Sequence, residues 1–174
     1  ALQKGPDNVE VRMAAAQYNL ERPNVEDRAP AAEHLRYVIE HIDDKNEAAW
    51  TALSQYYLML QEYDGAIKTV RDALKHLDPD DLQLNSQLVV ALTSADRIDE
   101  AETQLKRVEA ILAKAAVGKN PALRRRQQLD VDMLRATWAL RAGEKKGDNA
   151  LTRQATRRGW RLGVTALLVV RFRG

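Results

Sequence analysis

The sequence predicts an all-α fold, a superhelical solenoid of αα-hairpins, and three observations lead to this prediction. Ala32, Ala66 and Ala101 follow one another at intervals of 34 and 35 residues, a period typical of stacked helix–turn–helix units. Apolar residues recur three or four positions apart through most of the chain, as they do on one face of a helix. Few strong helix breakers interrupt this pattern, since the 174 residues include only five prolines and eight glycines.

The clearest unit runs from Asn46 to Asp81 and is predicted to form two amphipathic helices joined by a short turn. We expect the turn at residues 62–65 and the end of the second helix at residues 78–80, where Pro79 lies between two aspartates. The small alanines of the second helix would allow a close approach to the first. The apolar stripes are Trp50, Leu53, Tyr57 and Leu60 on the first helix, and Ala66, Val70, Ala73 and Leu74 on the second.

This unit resembles a tetratricopeptide repeat, the 34-residue helix–turn–helix repeat. The residues that carry the resemblance are Trp50, Leu53, Ser54, Tyr57, Ala66, Val70, Ala73 and Pro79. Three of them depart from the family pattern: Ser54 replaces a glycine, Val70 replaces an aromatic residue, and Pro79 comes one residue late. The resemblance implies the fold, but it does not identify a partner, because this scaffold is reused for unrelated partners.

The remaining chain is predicted to follow the same register, as an array over residues 1–152. The approximate repeats are 8–45, 46–80, 81–117 and 121–152 onward. The first has a helix from Asn8 to Glu21 and a lengthened connection before Ala29; the third has a turn at residues 94–97 and Asn85 at an aromatic position. The fourth is irregular: it starts after a stop at residues 118–121 and has a predicted turn at residues 143–147.

The two ends of the chain carry separate expectations. Residues 1–7 resemble the end of a repeat, so we expect the chain to be a piece of a longer array. Residues 153–174 combine six arginines with an apolar run from Leu162 to Val170, too short for a membrane span. Three interpretations of this segment stay open: the last helix of the array, a basic surface that binds a membrane or a partner, or an unstructured end.

Composition excludes several classes of protein. There is no cysteine, which removes disulfides, thiolate catalysis and cysteine-based metal sites and fits a reducing compartment. No signal-peptide pattern is present at the start, and we take the cytoplasm as the default location. The net charge is +2, but all six arginines of the last segment lie beyond Asp148, so residues 1–148 carry 21 basic against 25 acidic residues. This acidic body argues against nucleic-acid binding.

The sequence also argues against an enzyme, a cofactor or a metal centre. His34 and His41 lie seven residues apart on one predicted helix, with acids nearby, but no HExxH-type ligand spacing appears and we expect both to face solvent. The glycines are isolated, at turns, rather than grouped in a phosphate-binding loop. No serine has a recognisable histidine–aspartate partnership.

The resemblance implies a concave groove lined by the first helix of each repeat, where an extended peptide or a partner helix would bind. The residues at these positions that we expect to contact a partner are Met13, Gln17, Thr51, Gln55, Leu58, Gln83, Ser86 and Val90, and Thr93 continues their register. This surface is polar and nearly uncharged. The lysine–asparagine–arginine clamp with which chaperone-binding members hold a terminal carboxylate is absent, since its places hold Met13, Gln17, Ala52, Gln83 and Ser86.

The sequence therefore predicts a protein–protein interaction scaffold that binds a protein or peptide segment in this groove. Two alternatives stay open: a regulatory or assembly subunit that contacts a membrane or an acidic partner through the basic C-terminal segment, or an array attached to a catalytic domain outside this chain. The run Arg124–Arg126 is expected to be a solvated start of a helix, although it could join the C-terminal arginines in a basic patch. The identity of the partner and the oligomeric state are not readable from the residues.

Overall fold

A computed structural model describes residues 7–24, 26–115, 120–148, 150, 152 and 153 of the chain. Within these ranges the regular structure is entirely helical. The chain divides into two compact units, residues 1–84 and 85–174. The α-helices are α1 (Val9–Leu20), α2 (Ala29–Tyr37), α3 (Glu47–Met59), α4 (Tyr63–His76), α5 (Leu82–Ser94), α6 (Ile98–Ala115) and α7 (Pro121–Lys146). A 3₁₀ turn, Glu26–Arg28, precedes α2, and a π-helical turn, Val38–Ile42, extends it.

Short polar side chains start several of these helices. Asn8, Asn46 and Asn120 are the N-caps of α1, α3 and α7, and the Oδ1 atom of each accepts a hydrogen bond from a backbone N–H of the first turn, at 2.9–3.0 Å. Asp81 does the same for α5, since its Oδ1 lies 2.7 Å from the N of Leu84. The helix beginnings predicted at Asn8 and near Asp81 are confirmed.

The first unit is built from two helix hairpins. Helix α1 packs against α2, α3 packs against α4, and α2 also contacts α3. The predicted stripes supply much of the core. Ala32, Leu35 and Val38 are buried on the α2 side, while Leu53, Ala66, Val70 and Ala73 are buried between α3 and α4. Ala66 is completely inaccessible, which agrees with its predicted position at a close approach of two helices.

The turn between α3 and α4 lies earlier than predicted. Gln61 has a left-handed backbone (φ 60°), and the N–H of Glu62 donates to the carbonyl oxygen of Tyr57 at 2.9 Å. Helix α4 already begins at Tyr63, so the prediction of a turn at residues 62–65 is wrong. Gly65 is a helical residue, and a Cβ atom there would lie 3.0 Å from Cδ1 of Tyr57. The glycine therefore makes room for the aromatic ring and does not break the helix.

The second unit contains most of α5 together with α6 and α7, and α6 packs against α7. Asn85, which stands at a position where the repeat pattern has an aromatic residue, is fully buried, and its Oδ1 accepts a hydrogen bond from Nε2 of Gln104 at 2.7 Å. The indole Nε1 of Trp138 donates to the carbonyl oxygen of Ile98 at 3.1 Å. These two bonds connect α5 to α6 and α7 to the start of α6.

The same type of turn ends three helices. Gln61 after α3, Asp96 after α5 and Gly147 after α7 all have a left-handed backbone, with φ of 60°, 59° and 63°. Asp96 follows Gln61 by 35 residues, the period predicted from the alanines. The turn predicted at residues 94–97 lies at residues 95–97, since Ser94 is the last residue of α5. The turn predicted at 143–147 is wrong in its extent, because α7 continues to Lys146 and Gly143 is a buried helical residue.

Two predictions fall outside the described residues. The C-terminal segment, apart from Arg153, and the stop at Gly118 lie in ranges of the chain that the structure does not describe. The repeat boundaries and the extent of the array therefore remain predictions.

Candidate interaction surfaces

In the first unit, the residues predicted to contact a partner lie on α1, on α3 and at the start of α5. Gln17, Gln55 and Gln83 are exposed, while Met13, Thr51 and Leu58 are half-buried. None of these six side chains carries a charge. Gln17 makes one local bond, in which its Nε2 donates to Oε1 of Glu21 at 2.7 Å. The first unit thus presents uncharged amide groups next to apolar side chains on these helices.

Thr51 adds an unused polar atom to α3. Its Oγ1 is buried and has no hydrogen-bond partner among the described residues. Buried hydroxyl groups normally have a partner, so this atom has a hydrogen-bonding capacity that the described fold does not use.

In the second unit, Ser86 is half-buried and Val90 is 40% exposed. Val90 lies at a cavity of about 90 Å³ between α5 and α7. The apolar walls are formed by Val89 and Val90 from α5 and by Leu134 and Leu140 from α7. The structure therefore places one of the residues predicted to contact a partner at a concave, mostly apolar site.

Thr93 lies at the wall of this cavity and has an unpaired hydroxyl group. The residue is 5% exposed, and its Oγ1 is buried and makes no hydrogen bond with any described residue. Thr137, on the opposite wall, is different because its Oγ1 donates to the carbonyl oxygen of Met133 at 3.0 Å. The cavity thus has mostly apolar walls, and the unpaired oxygen of Thr93 is buried rather than open to a ligand.

Charged side chains complete the lining of the cavity. Nη1 of Arg141 lies 3.5 Å from Oε2 of Glu144, and its Nε lies 3.9 Å from Oδ1 of Asp96. Lys145 holds Asp96 more tightly, with Nζ 2.9 Å from Oδ2. Both contacts of Arg141 are long for a charge-assisted hydrogen bond, so its guanidinium group can approach another carboxylate more closely.

Helix α7 begins with an exposed stretch. Arg124, Arg125 and Arg126 are all exposed, and Leu123 and Leu129 beside them are 46% and 45% exposed. The side chains of the three arginines make no ion pair or hydrogen bond with a described residue, while the backbone N–H of Arg124 donates to the carbonyl oxygen of Asn120 at 3.1 Å. They lie on a solvated start of a helix, as predicted, but this start also exposes two leucines.

The histidines do not form a metal centre. Among the described residues, no group of three or more histidine, cysteine, aspartate or glutamate side chains could hold a metal ion. His34 is half-buried, contrary to the solvent-facing position predicted, and its Nδ1 lies 3.3 Å from Nη1 of Arg12. Burial, followed by the positive charge of Arg12, lowers the pKa of His34. His76 pairs with Asp44 at 3.2 Å and stacks on Trp50.

Sequence reasoning missed the cavity as a site. The sequence pattern predicts that Val90 and Thr93 share one face of a helix, but nothing in the local pattern of α5 indicates which α7 residues lie opposite. In the part of the chain that the structure describes, no helix has the length and apolar character needed to cross a membrane.

Comparisons with known proteins identify the fold. No protein-family model matches the chain, and no curated protein matches it. Among solved structures, the chain is similar to one titled "MamA MSR-1 C2", a tetratricopeptide-like helical protein, with a TM-score of 0.57 and 20% sequence identity. The similarity covers 88% of this chain and 78% of that one. The predicted fold class, an all-α solenoid of tetratricopeptide-like αα-hairpins, is confirmed.

Proposed function

We propose that the chain is a tetratricopeptide-repeat protein that acts as a protein–protein interaction scaffold and has no catalytic activity of its own. Its partner would be a protein or peptide segment that contacts the first helix of each hairpin. In the first unit this surface is Met13, Gln17, Thr51, Gln55, Leu58 and Gln83. In the second unit it is Ser86 and Val90.

One observation supports this proposal above the others. The surface residues on α1, α3 and α5 are uncharged and partly exposed, whereas the charged groups on α4 and α6 form local pairs such as Lys75–Asp72 and Lys106–Glu102. Amide side chains on a rigid helix can hydrogen-bond the backbone of a peptide, and nearby apolar groups add contact area. Such a surface suits an uncharged stretch of a partner.

Rigidity of the hairpins favours the same role. Ala66 and Ala73 are completely buried, and Gly65 lies against the ring of Tyr57, so α3 and α4 are held at a close and defined separation. A surface built on packed helices is positioned more accurately than one on loops, which reduces the entropic cost of binding.

The proposal is tested by site-specific photo-crosslinking. A photoreactive phenylalanine analogue is placed at Gln55 on α3 and, as a matched control, at Lys68 on α4; both positions are exposed on helices of the same hairpin. Illumination in the cells that produce the protein should give a discrete crosslinked partner from position 55 and none from position 68. Equal crosslinking from both positions, or none from position 55, would contradict the proposal.

A further inference from the structure

We propose that the cavity between α5 and α7, together with the exposed start of α7, recognises an acidic segment of a partner that carries two aliphatic side chains. This inference rests on the proposed scaffold function and specifies the partner chemistry for the second unit. The cavity would take one aliphatic side chain, and Leu123 would contact the other.

The size and lining of the cavity select the first side chain. Its volume is about 90 Å³ and its walls are Val89, Val90, Leu134 and Leu140. An apolar protein cavity of about 150 Å³ accommodates benzene, so the smaller one suits a branched aliphatic side chain better than an aromatic residue. Burying that side chain removes apolar surface of both molecules from water.

The exposed rim of the cavity selects the orientation. Val90 borders the cavity on α5 and is 40% exposed. The segment would then enter with its main chain close to α5, where it covers that side chain.

Helix geometry connects the cavity to the start of α7. At about 100° per residue, Leu123 lies within about 20° of Leu134 around the axis of α7, and about 16 Å away along it. Arg124 and Arg126 lie about 80° to either side of this line. An extended segment covers about 14 Å in four residues, and its side chains alternate between two faces. Two aliphatic side chains four positions apart therefore share a face and would reach Leu123 and the cavity together.

The charge of α7 indicates which residues should lie between the two aliphatic side chains of the partner segment. Helix α7 carries seven lysines and arginines but only three carboxylates. Arg124 and Arg126 flank the line from Leu123 to the cavity and have no ion pair with a described residue, and Arg141 beside the cavity has only long contacts with its carboxylates. Two acids lie close to this line: Asp130 between its ends and Glu144 at the cavity, where Arg141 is its partner. The unpaired positive charge is concentrated at Arg124 and Arg126, so an acidic segment is the complementary partner.

The probe is a labelled synthetic peptide with two leucines four positions apart and glutamates between them, titrated against the full chain and followed by fluorescence anisotropy and methyl NMR. Saturable binding is expected, with shifts of the methyl signals of Val89, Val90, Leu134 and Leu140. Replacing both leucines by alanine, or the glutamates by lysine, should weaken binding at least tenfold. Raising the salt concentration should weaken it as well.

Two variants separate recognition from folding. Val90→Asn changes an exposed position at the rim of the cavity, so it should leave the melting temperature nearly unchanged while weakening peptide binding several-fold. Equal affinity of this variant and the parent would contradict the proposal. The double variant Arg124→Glu/Arg126→Glu should leave the melting temperature nearly unchanged and remove most of the salt dependence of binding.

Other occupants of the cavity would overturn the proposal. If only a full-length variant with Leu167→Asp and Leu168→Asp bound the peptide, the cavity would belong to the C-terminal segment of this chain. If the methyl shifts appeared on raising protein concentration alone, a second copy would be the occupant. If the crosslinked partner bound the chain but the acidic peptide did not shift the cavity methyls, this inference would fail while the scaffold function stood.

Discussion

Asn85 on α5 and Gln104 on α6 are joined by a hydrogen bond of 2.7 Å from Nε2 to Oδ1, at a place where the repeat pattern has an aromatic residue. Asn85 is completely buried and Gln104 is half-buried. A polar contact therefore replaces apolar packing between these two helices. Such a contact stabilises the hairpin only while both partners are present, because truncating either one removes a hydrogen bond from the amide of the other.

Removing one partner of this pair should lower the free energy of unfolding. Removing both should lower it by less than the sum of the two single losses. We expect Asn85→Ala to lower the free energy of unfolding by about 1–3 kcal/mol, mostly from the stranded Gln104 amide and the space left behind. Gln104→Ala should also lower the free energy of unfolding, because the buried Oδ1 of Asn85 loses its bond to Nε2 of Gln104. Urea denaturation of both single variants and the double variant gives the coupling energy, and strictly additive losses would show that the bond contributes nothing.

Ala66 tests the packing of the hairpin α3–α4. Ala66→Glu would place a carboxylate at a completely inaccessible position, so we expect a loss of about 3–5 kcal/mol. Lys68→Glu, two residues later on the exposed side of α4, is the matched control and should change stability by less than about 0.5 kcal/mol. If the Ala66 variant melted at the same temperature as the parent, the helix interface would be misplaced.

Gln61 is strained by its left-handed backbone, and glycine would relieve that strain. With φ at 60°, Gln61→Gly should stabilise the chain by about 0.5–1 kcal/mol, since a residue with a Cβ atom is disfavoured there. Lys68→Gly, in the middle of α4, should destabilise it by about the same amount. The two melting temperatures should shift in opposite directions, whereas two losses would exclude a left-handed turn at residue 61.

His34 should make stability depend on pH. Its folded pKa lies below the unfolded value of 6.5, mainly because of burial and secondarily because of Arg12, so below pH 6.5 the unfolded chain binds more protons. Protonation would also remove the Nδ1 lone pair that faces the guanidinium of Arg12. Stability should therefore fall as the pH drops below 6.5, and His34→Gln should remove part of that fall. The measurement is the midpoint of urea denaturation as a function of pH. Identical profiles for the parent and the His34→Gln variant would contradict this prediction.

The period and most helix positions could be predicted from the sequence because they depend on local chemistry. Alanines at 34- and 35-residue intervals mark where helices approach, and asparagine or aspartate before an apolar stripe marks where helices begin. The pattern predicts the turn before α4 too late, because a glycine such as Gly65 normally indicates the end of a helix. Its actual role depends on the ring of Tyr57, eight residues earlier, which local patterns do not reveal.

The cavity could not be predicted, for a different reason. It requires the register of α5 against α7, two helices that are separated in the sequence by the whole of α6. The sequence pattern predicts that Val90 and Thr93 both lie on the surface. Thr93 is instead buried, at a cavity whose opposite wall includes Leu134 and Leu140. The periodic alanines and the capping asparagines do not indicate how close α5 lies to α7.

The central claim is that a partner binds the first helices of the hairpins. The most direct test uses the partner that is isolated by crosslinking at position 55. Isothermal titration calorimetry measures its affinity for two variants of the chain, Gln55→Trp on α3 and Lys68→Trp on α4. The added bulk should weaken binding at least tenfold at position 55 and leave it unchanged at position 68, with equal melting temperatures. Equal affinities for the two variants, or a loss only at position 68, would contradict the account.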